Sequence, residues 1–358
     1  NYSVQELVTY LQTQKETNGG ASIDFIAFCN AHIQMLKDKG RKGTAGRFEA
    51  VIRNLTDYYG RPIVFIKEIN VKNLQGFIEF MQKPRKITRK NQYGKEVTTM
   101  VPGCKAQTVK DYLADIQTLF NAACDKYNDP DAETALIGHR PFSSKKLQIE
   151  VKDEPEKRDL SIEELIKILK AENVPGQRMQ LARDVLALSF YLAAMNTVDL
   201  FGEDAALTFR RITYHRQKTA TRRKDEALLS VKIEPEILPL IRKYIDPDKN
   251  RLFIFYKLYS DFRTFNNNIN KGCKQLANYL GINPELSTYY MRHTLATIGA
   301  EDCGINDADI AMLLNHVCEE SDLKTGKSLK ITRGYIHRRF SKNDLNQRKI
   351  YDFVKSKF

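Results

Sequence analysis

The sequence is short of several things that would point elsewhere. Its 6 cysteines include no C-x-x-C pair. The spacing of Cys29, Cys104, Cys124, Cys273, Cys303 and Cys318 fits neither a zinc site nor a compact disulfide framework. They read as small buried hydrophobes in a reducing cytoplasm, and the protein is expected to be cytoplasmic. No run of about 18 apolar residues occurs, so no membrane span is expected. There is no P-loop and no compelling acidic metal-binding cluster, so neither a nucleotide nor a metal is expected as cofactor. The start, Asn1-Tyr2-Ser3, lacks Met and any signal-peptide apolar region, and reads as a fragment of something longer. No internal repeat is found.

What is present is bulk and positive charge. The chain has 358 residues, 42% of them hydrophobic, which is enough for packed cores and more than one ordinary core would use. It carries 57 Lys and Arg against 44 acidic residues, a net +13. Such a surface favours a polyanion, with nucleic acid ahead of an acidic membrane surface or an acidic protein. Residues 1–157 hold 24 Lys/Arg and 19 Asp/Glu, and the remainder holds 33 and 25, so both halves are basic.

Apolar periodicity predicts helices through most of residues 1–128. Ser22 is placed as N-cap of a helix through Phe25, Phe28, Ile33 and Leu36. Further helices are expected over 46–59, 71–81 and 106–127. The basic stretch 83–97 lies between the last two, with a hairpin turn at Asn91–Gly94. Residues 141–158, with Pro141 and Pro155, read as a linker. Ser161 and Glu164 then form a capping box that opens a new domain. Leu181, Val185, Leu188, Leu192 and Met195 follow a 4-3-4-3 spacing. Residues 211–218 and 227–233 alternate as strands around a basic turn at 219–224. Helices are expected again from Phe262 to a stop at Gly281, and over 288–301, 307–314 and 344–356. The fold class predicted is mainly α with a small antiparallel sheet. The domains predicted are an N-terminal remnant (1–21), a helical domain (22–135), a linker (136–157) and a mixed domain (158–358).

The informative segment is Tyr289-Tyr290-Met291-Arg292-His293-Thr294-Leu295-Ala296-Thr297. It is followed by Leu313-Leu314-Asn315-His316 and by Ile331-Thr332-Arg333-Gly334-Tyr335. Upstream stand Ala194-Met195-Asn196-Thr197-Val198-Asp199-Leu200 and Gln217-Lys218-Thr219. In this order the five segments resemble the signature of tyrosine recombinases, the phage-type integrases, over about residues 160–355. Residues 22–128 resemble them more weakly. The wording M-N-x-x-D-L and Y-x-R-H-T-x-A-T is similar to integrases of certain conjugative transposons and related phages.

The resemblance implies an N-terminal SAM-like helical core-binding domain joined to a tyrosine-recombinase catalytic domain. It implies a site-specific recombinase that cleaves and rejoins double-stranded DNA for integration or excision of a mobile element. Tyr335 would attack the scissile phosphate and form a 3′-phosphotyrosine. Arg292 would hold non-bridging oxygens, Lys218 would protonate the leaving 5′-oxygen, and His316 would support the phosphate or assist proton movement. A homotetramer on two sites is implied, with accessory DNA-bending or directionality proteins possible, and no membrane. The physical logic stands beside the resemblance. Fixed cationic donors stabilise charge gathering on phosphoryl oxygens, and a covalent link conserves the phosphodiester energy without ATP.

Two positions depart from the family, which usually has Arg where Asn196 stands and His where Tyr289 stands. Asn supplies no cation; Tyr289 stays among the catalytic candidates because it can donate a hydrogen bond, although Tyr is a poor base near neutral pH. Arg216, two residues before Lys218 and expected on the same strand face, is the candidate replacement cation. The rival reading pairs it with Asp199 to stabilise the sheet. Asn196 and Asp199 are otherwise read as structural or supporting groups, and His293 as a packing residue. Arg222, Arg223, Lys224 and Lys105 are assigned to DNA contact. Two rival functions remain at this point: a type IB topoisomerase-like enzyme, and a DNA-binding relic whose catalytic set has decayed.

Overall fold

The computed structural model describes residues 23–91, 93–151, 158–202, 205–208, 210–220, 225–316 and 340–358. Its contacts divide the chain into two units, Asn1–Glu154 and Pro155–Phe358. Both are mainly helical with small antiparallel sheets, which bears out the predicted fold class.

In the first unit, α1 (Phe25–Asp38), α2 (Lys42–Tyr59), α3 (Val71–Gln82) and α4 (Ala106–Tyr127) surround one core. The cap of α1 is Asp24, whose carboxylate accepts from the amides of Ile26 and Ala27. The Ser22 of the sequence reading lies outside the described residues. Phe25, Phe28, Ile33 and Leu36 are buried, as their spacing requires. α2 starts four residues earlier than periodicity indicated, because Ala45 already faces the core. Gly60 closes it at φ 65, the left-handed cap that glycine adopts without strain. Asn70 caps α3 by accepting from the Asn73 amide. Between α3 and α4 a ribbon of β1 (Arg85–Lys90) and β2 (Glu96–Val101) turns at residues 91–95.

The second unit opens on α5 (Ile162–Lys170), with the Ser161–Glu164 capping box formed in both directions. α6 (Gln177–Tyr191) lies deep in the core and packs on α10 (Phe262–Leu280). Leu192 and Met195 are buried but lie past the end of α6. There the chain turns through Ala193 and Ala194 at φ 53 and 57, a left-handed conformation costly for residues with a Cβ. Tyr351 fixes this turn, accepting from the Ala193 amide and donating to the Phe190 carbonyl. α7 (Thr197–Phe201) follows.

The sheet has three strands in the order β3 (Ala206–Thr208), β4 (Arg211–His215) and β5 (Leu228–Lys232), all antiparallel. β3 was not anticipated from the sequence. β4 and β5 are shorter than the predicted 211–218 and 227–233. The Arg216 carbonyl takes the amides of Thr219 and Ala220, so the chain turns immediately after Arg216. Lys218 is therefore in a turn, and the strand-face argument linking Arg216 to Lys218 does not hold.

α8 (Leu238–Tyr244) and the single turn α9 (Phe255–Leu258) were also not anticipated. α10 ends at Gly281 with φ 61, as expected. The helix predicted over 288–301 is α11 (Tyr290–Thr297) followed by a π turn, Ile298–Asp302. Its widened loop admits Gly299, where a Cβ would come 2.4 Å from Ile310 Cδ1. α12 (Asp307–Leu313) and α13 (Ser341–Ser356) complete the unit, and Ile350, Tyr351 and Val354 of α13 join its core.

Candidate phosphate-binding site

Arg292 projects from the first turns of α11 and is 7% exposed. Its Nη2 donates to the Leu314 carbonyl and lies 2.9 Å from His316 Nε2. Its Nη1 reaches the Ala194 carbonyl at 3.4 Å. The strained turn at 193–194 thus presents a carbonyl to this guanidinium, and the turn after α12 presents another. Asn315, at φ 54, makes that second turn. Its side chain donates to the Ala227 carbonyl at 2.7 Å, tying it to the start of β5.

Arg216 reaches the same place from the end of β4. It is 7% exposed, and its Nη1 contacts the Asn315 carbonyl at 3.4 Å. Its amide donates to the Ala227 carbonyl. The Arg216 Nε is buried with no partner among the described residues. Asp199, 3% exposed on α7, accepts from the Gln217 amide at 3.0 Å through Oδ1, while Oδ2 has no hydrogen-bond partner among the described residues. No Arg216–Asp199 ion pair occurs among the described residues, so the pairing foreseen as the rival role of Arg216 is not formed.

The electrostatics follow from this crowding. Burial pushes the Asp199 carboxyl up to about 6, against the Gln217 amide bond and the fields of Arg216 and Arg292. Burial, with Arg292, Arg216 and Lys218 adding to it, pushes the His316 imidazole down to about 4. His316 is therefore neutral at pH 7, and its Nε2 accepts from Arg292. Burial and the repulsion of Arg216 bring Arg292 down to about 10, which leaves it charged. Buried Tyr214 is held above the ordinary phenol range, first by burial and then by Asp199. Two guanidiniums that meet in a poorly solvated place are chemically suited to an oxyanion.

Of the residues singled out in the sequence, Arg216, Arg292, His316 and Asp199 come together. Lys218 is exposed nearby, and its field reaches His316. Tyr289 is 46% exposed, and its ring meets the edge of His293 at 4.8 Å. Asn196 stands at the start of α7 and makes no side-chain cap bond. Lys105 is exposed at the start of α4, in the other unit. Tyr335, Arg222, Arg223 and Lys224 lie outside the described residues. Sequence reasoning did not single out Asn315, Ala193 and Ala194 for the site. The first sits inside the Leu314-Asn315-His316 wording, but nothing in the sequence signals a left-handed Ala-Ala turn. Among the described residues no group of three His, Cys, Asp or Glu side chains is placed to hold a metal ion, and no helix is long and apolar enough to cross a membrane.

Residues 24–130 match the phage integrase SAM-like domain. Among solved structures, the chain is similar to the Tn1549 transposon integrase in complex with transposon right-end DNA. The TM-score is 0.50 and the identity 10%, over 92% of this chain and 100% of that one. It is also similar to the XerH site-specific recombinase bound to its difH substrate, with TM-score 0.45 and 17% identity over 76% of this chain and 68% of that one. No curated protein sequence matches the chain. The resemblance to phage-type integrases is borne out in the first unit, which matches their SAM-like domain, and the chain shares the fold of the Tn1549 integrase.

Proposed function

We propose that this protein is a site-specific DNA recombinase that integrates or excises a mobile element through a 3′-phosphotyrosine intermediate. The observation that carries the reading is the meeting of Arg216, Arg292 and neutral His316 in one buried cluster, where Arg216 Nε has no hydrogen-bond partner among the described residues. Arg292 and Arg216 hold the two non-bridging oxygens of the scissile phosphate. The Tyr335 oxygen attacks phosphorus, and the bond to the 5′-oxygen breaks. Lys218 gives that oxygen its proton. His316, unprotonated at neutral pH, supports the phosphate or accepts the proton that Tyr335 releases. One phosphodiester is exchanged for another, so the reverse attack by a 5′-hydroxyl reseals the strand without ATP.

In this reading the helical domain at about 22–135 and the catalytic domain at about 158–358, with the linker at 136–157 between them in sequence, both bind double-stranded DNA. Four copies act on two sites in the cytoplasm, with accessory DNA-bending or directionality proteins. Arg222, Arg223, Lys224 and Lys105 contact the DNA backbone. Binding then weakens about 10³–10⁵-fold between 50 and 200 mM salt if on the order of 6–10 phosphates are neutralised.

The deciding experiment traps the enzyme on a nicked suicide duplex. The wild type forms a covalent adduct that resists denaturation and persists in EDTA. Tyr335→Phe binds the same duplex and forms none. Adduct formed by Tyr335→Phe moves the nucleophile elsewhere, with Tyr289 and Tyr290 next. Adduct lost in EDTA and restored by Mg²⁺, with binding unchanged, overturns the metal-free mechanism. A type IB topoisomerase-like enzyme would relax supercoils without exchanging strands between two sites. A decayed relic would bind DNA and form no adduct.

A further inference from the structure

We propose that the β1–β2 ribbon of the first unit is a DNA-reading element that enters the major groove. The inference rests on the DNA-binding function above but concerns a surface separate from the phosphate cluster. Residues 85–101 hold five basic side chains, Arg85, Lys86, Arg89, Lys90 and Lys95, against one acid, Glu96. The strands are exposed along almost their whole length. An isolated two-stranded ribbon is at best marginally stable in water, so one kept away from the core needs another reason for its shape.

The pairing register separates its two faces. Arg85, Ile87 and Arg89 share one face with Val101, Thr99 and Val97, and Lys86, Thr88 and Lys90 share the other with Met100, Thr98 and Glu96. The first face is tied to the helices. Arg89 forms a two-pronged ion pair with Asp57 of α2, one prong at 2.8 Å. Arg85 lies 5.3 Å over the Phe80 ring and donates to the Met81 carbonyl at 3.2 Å. Gly103 lets the returning strand pass α3, since a Cβ there would come within 1.9 Å of the Gln82 carbonyl. These anchors fix the direction in which the second face looks.

That second face carries the chemistry of groove recognition. Lys86 and Lys90, four residues apart, stand about 13 Å apart along the strand. The major groove is about 12 Å wide and admits a two-stranded ribbon, so the two ammonium groups match its phosphate rims. Between them lie Thr88 and Thr98, their hydroxyls 2.8 Å apart, while Met100, 65% exposed, stands across from Lys86 and Glu96 across from Lys90. Hydroxyls and a soft apolar side chain are what base edges and a thymine methyl accept.

The test uses the full chain and a 30-base-pair duplex of random sequence, with affinity followed by fluorescence anisotropy over a salt series. Lys86→Ala/Lys90→Ala is expected to reduce the slope of log K against log salt by about 2. A rise from 50 to 200 mM salt would then cost it about tenfold less affinity than it costs the wild type. Thr88→Val/Thr98→Val keeps the shape of the ribbon. It is expected to retain the slope but lose base preference at adjacent positions among duplexes selected from a random library. A wild-type slope in the lysine variant overturns the ribbon's role while leaving the function intact. So does wild-type DNA binding accompanied by loss of self-association, which would make the ribbon a contact between copies. A wild-type chain whose affinity ignores salt overturns the DNA reading as a whole.

Discussion

The two units bury different things. Among the described residues, the first has a single buried charged side chain, Asp115, which is paired with Arg47 at 2.8 Å. The second buries Asp184, Asp199, Arg216, Glu234, Asp246, Arg292 and Asp309. These divide again. Asp184 is saturated by Lys243, Tyr244, Gln180 and Arg183, and Asp246 by Lys257, Tyr256 and the amides of residues 248, 250 and 251. Among the described residues Asp199 Oδ2 and Arg216 Nε have no hydrogen-bond partner, while Glu234 Oε1, also without a hydrogen bond, keeps an ion pair with Lys232 at 3.1 Å. A buried charge that serves the fold is surrounded by partners, because an unfilled one costs free energy. Unfilled valences beside strained backbone are what a site awaiting a ligand has.

The sharpest way to break this contrast is Arg216. If the Arg216 guanidinium serves a phosphate, Arg216→Ala should slow cleavage by about 10²–10³-fold with little change in DNA affinity. Arg216→Lys keeps the charge without the planar fork and should recover part of the rate. Single-turnover cleavage on a suicide duplex separates these from binding. Near wild-type cleavage by Arg216→Ala would make the unpartnered Nε an inert feature of packing.

Asp199 sharpens the same contrast through pH. Its folded pKa of about 6 lies above the value of about 3.9 for a free Asp, so the fold favours the protonated form. That contribution is full below about pH 4 and is lost as pH rises through about 6. The loss is on the order of 3 kcal/mol, since each pKa unit is about 1.4 kcal/mol. Asp199→Asn should therefore flatten the pH dependence of unfolding between pH 4 and 6, measured by denaturant melts. An unchanged pH profile would mean that the carboxylate is better solvated than its 3% exposure implies.

Much of the fold could be read from the sequence where the signal is local. The apolar stripes of α1 to α4, the Ser161–Glu164 box and the Gly281 stop are patterns of adjacent residues, and local physics decides them. What escaped reading is set by distant contacts. β3 has only three residues and exists because β4 pairs with it. The end of β4 at His215 is decided by hydrogen bonds to the Arg216 carbonyl, and alternation of residue types does not show them. Arg216 reaches the Arg292 cluster although the strand argument for placing it there fails, since the end of β4 delivers it directly to Asn315. The left-handed turn at Ala193 and Ala194 depends on Tyr351, some 158 residues away.

The smallest expected effect tests whether the two units are separate at all. Asp24 and Ser161 are equivalent devices, one at the first helix of each unit. Asp24 satisfies two amides at 3.0 and 3.1 Å, and Ser161 satisfies the Glu164 amide at 3.2 Å while Glu164 returns a bond to the Ser161 amide at 3.0 Å. Losing such a cap costs about 1 kcal/mol. Each unit has its own apolar core, one built from Phe25, Phe77 and Phe120 and the other from Phe190, Phe265 and Leu295. Units with separate cores can unfold as separate transitions. Asp24→Ala should then lower only the transition of the first unit and Ser161→Ala only that of the second, each by a few degrees, read by calorimetry of the full chain and its two single variants. Hydrogen exchange resolved by peptide assigns the transitions, with amides of α2 and α4 following Asp24→Ala and those of α6 and α10 following Ser161→Ala. If either substitution lowers both transitions together, the units share one cooperative core. The buried charges of the second unit would then draw on the stability of the whole chain.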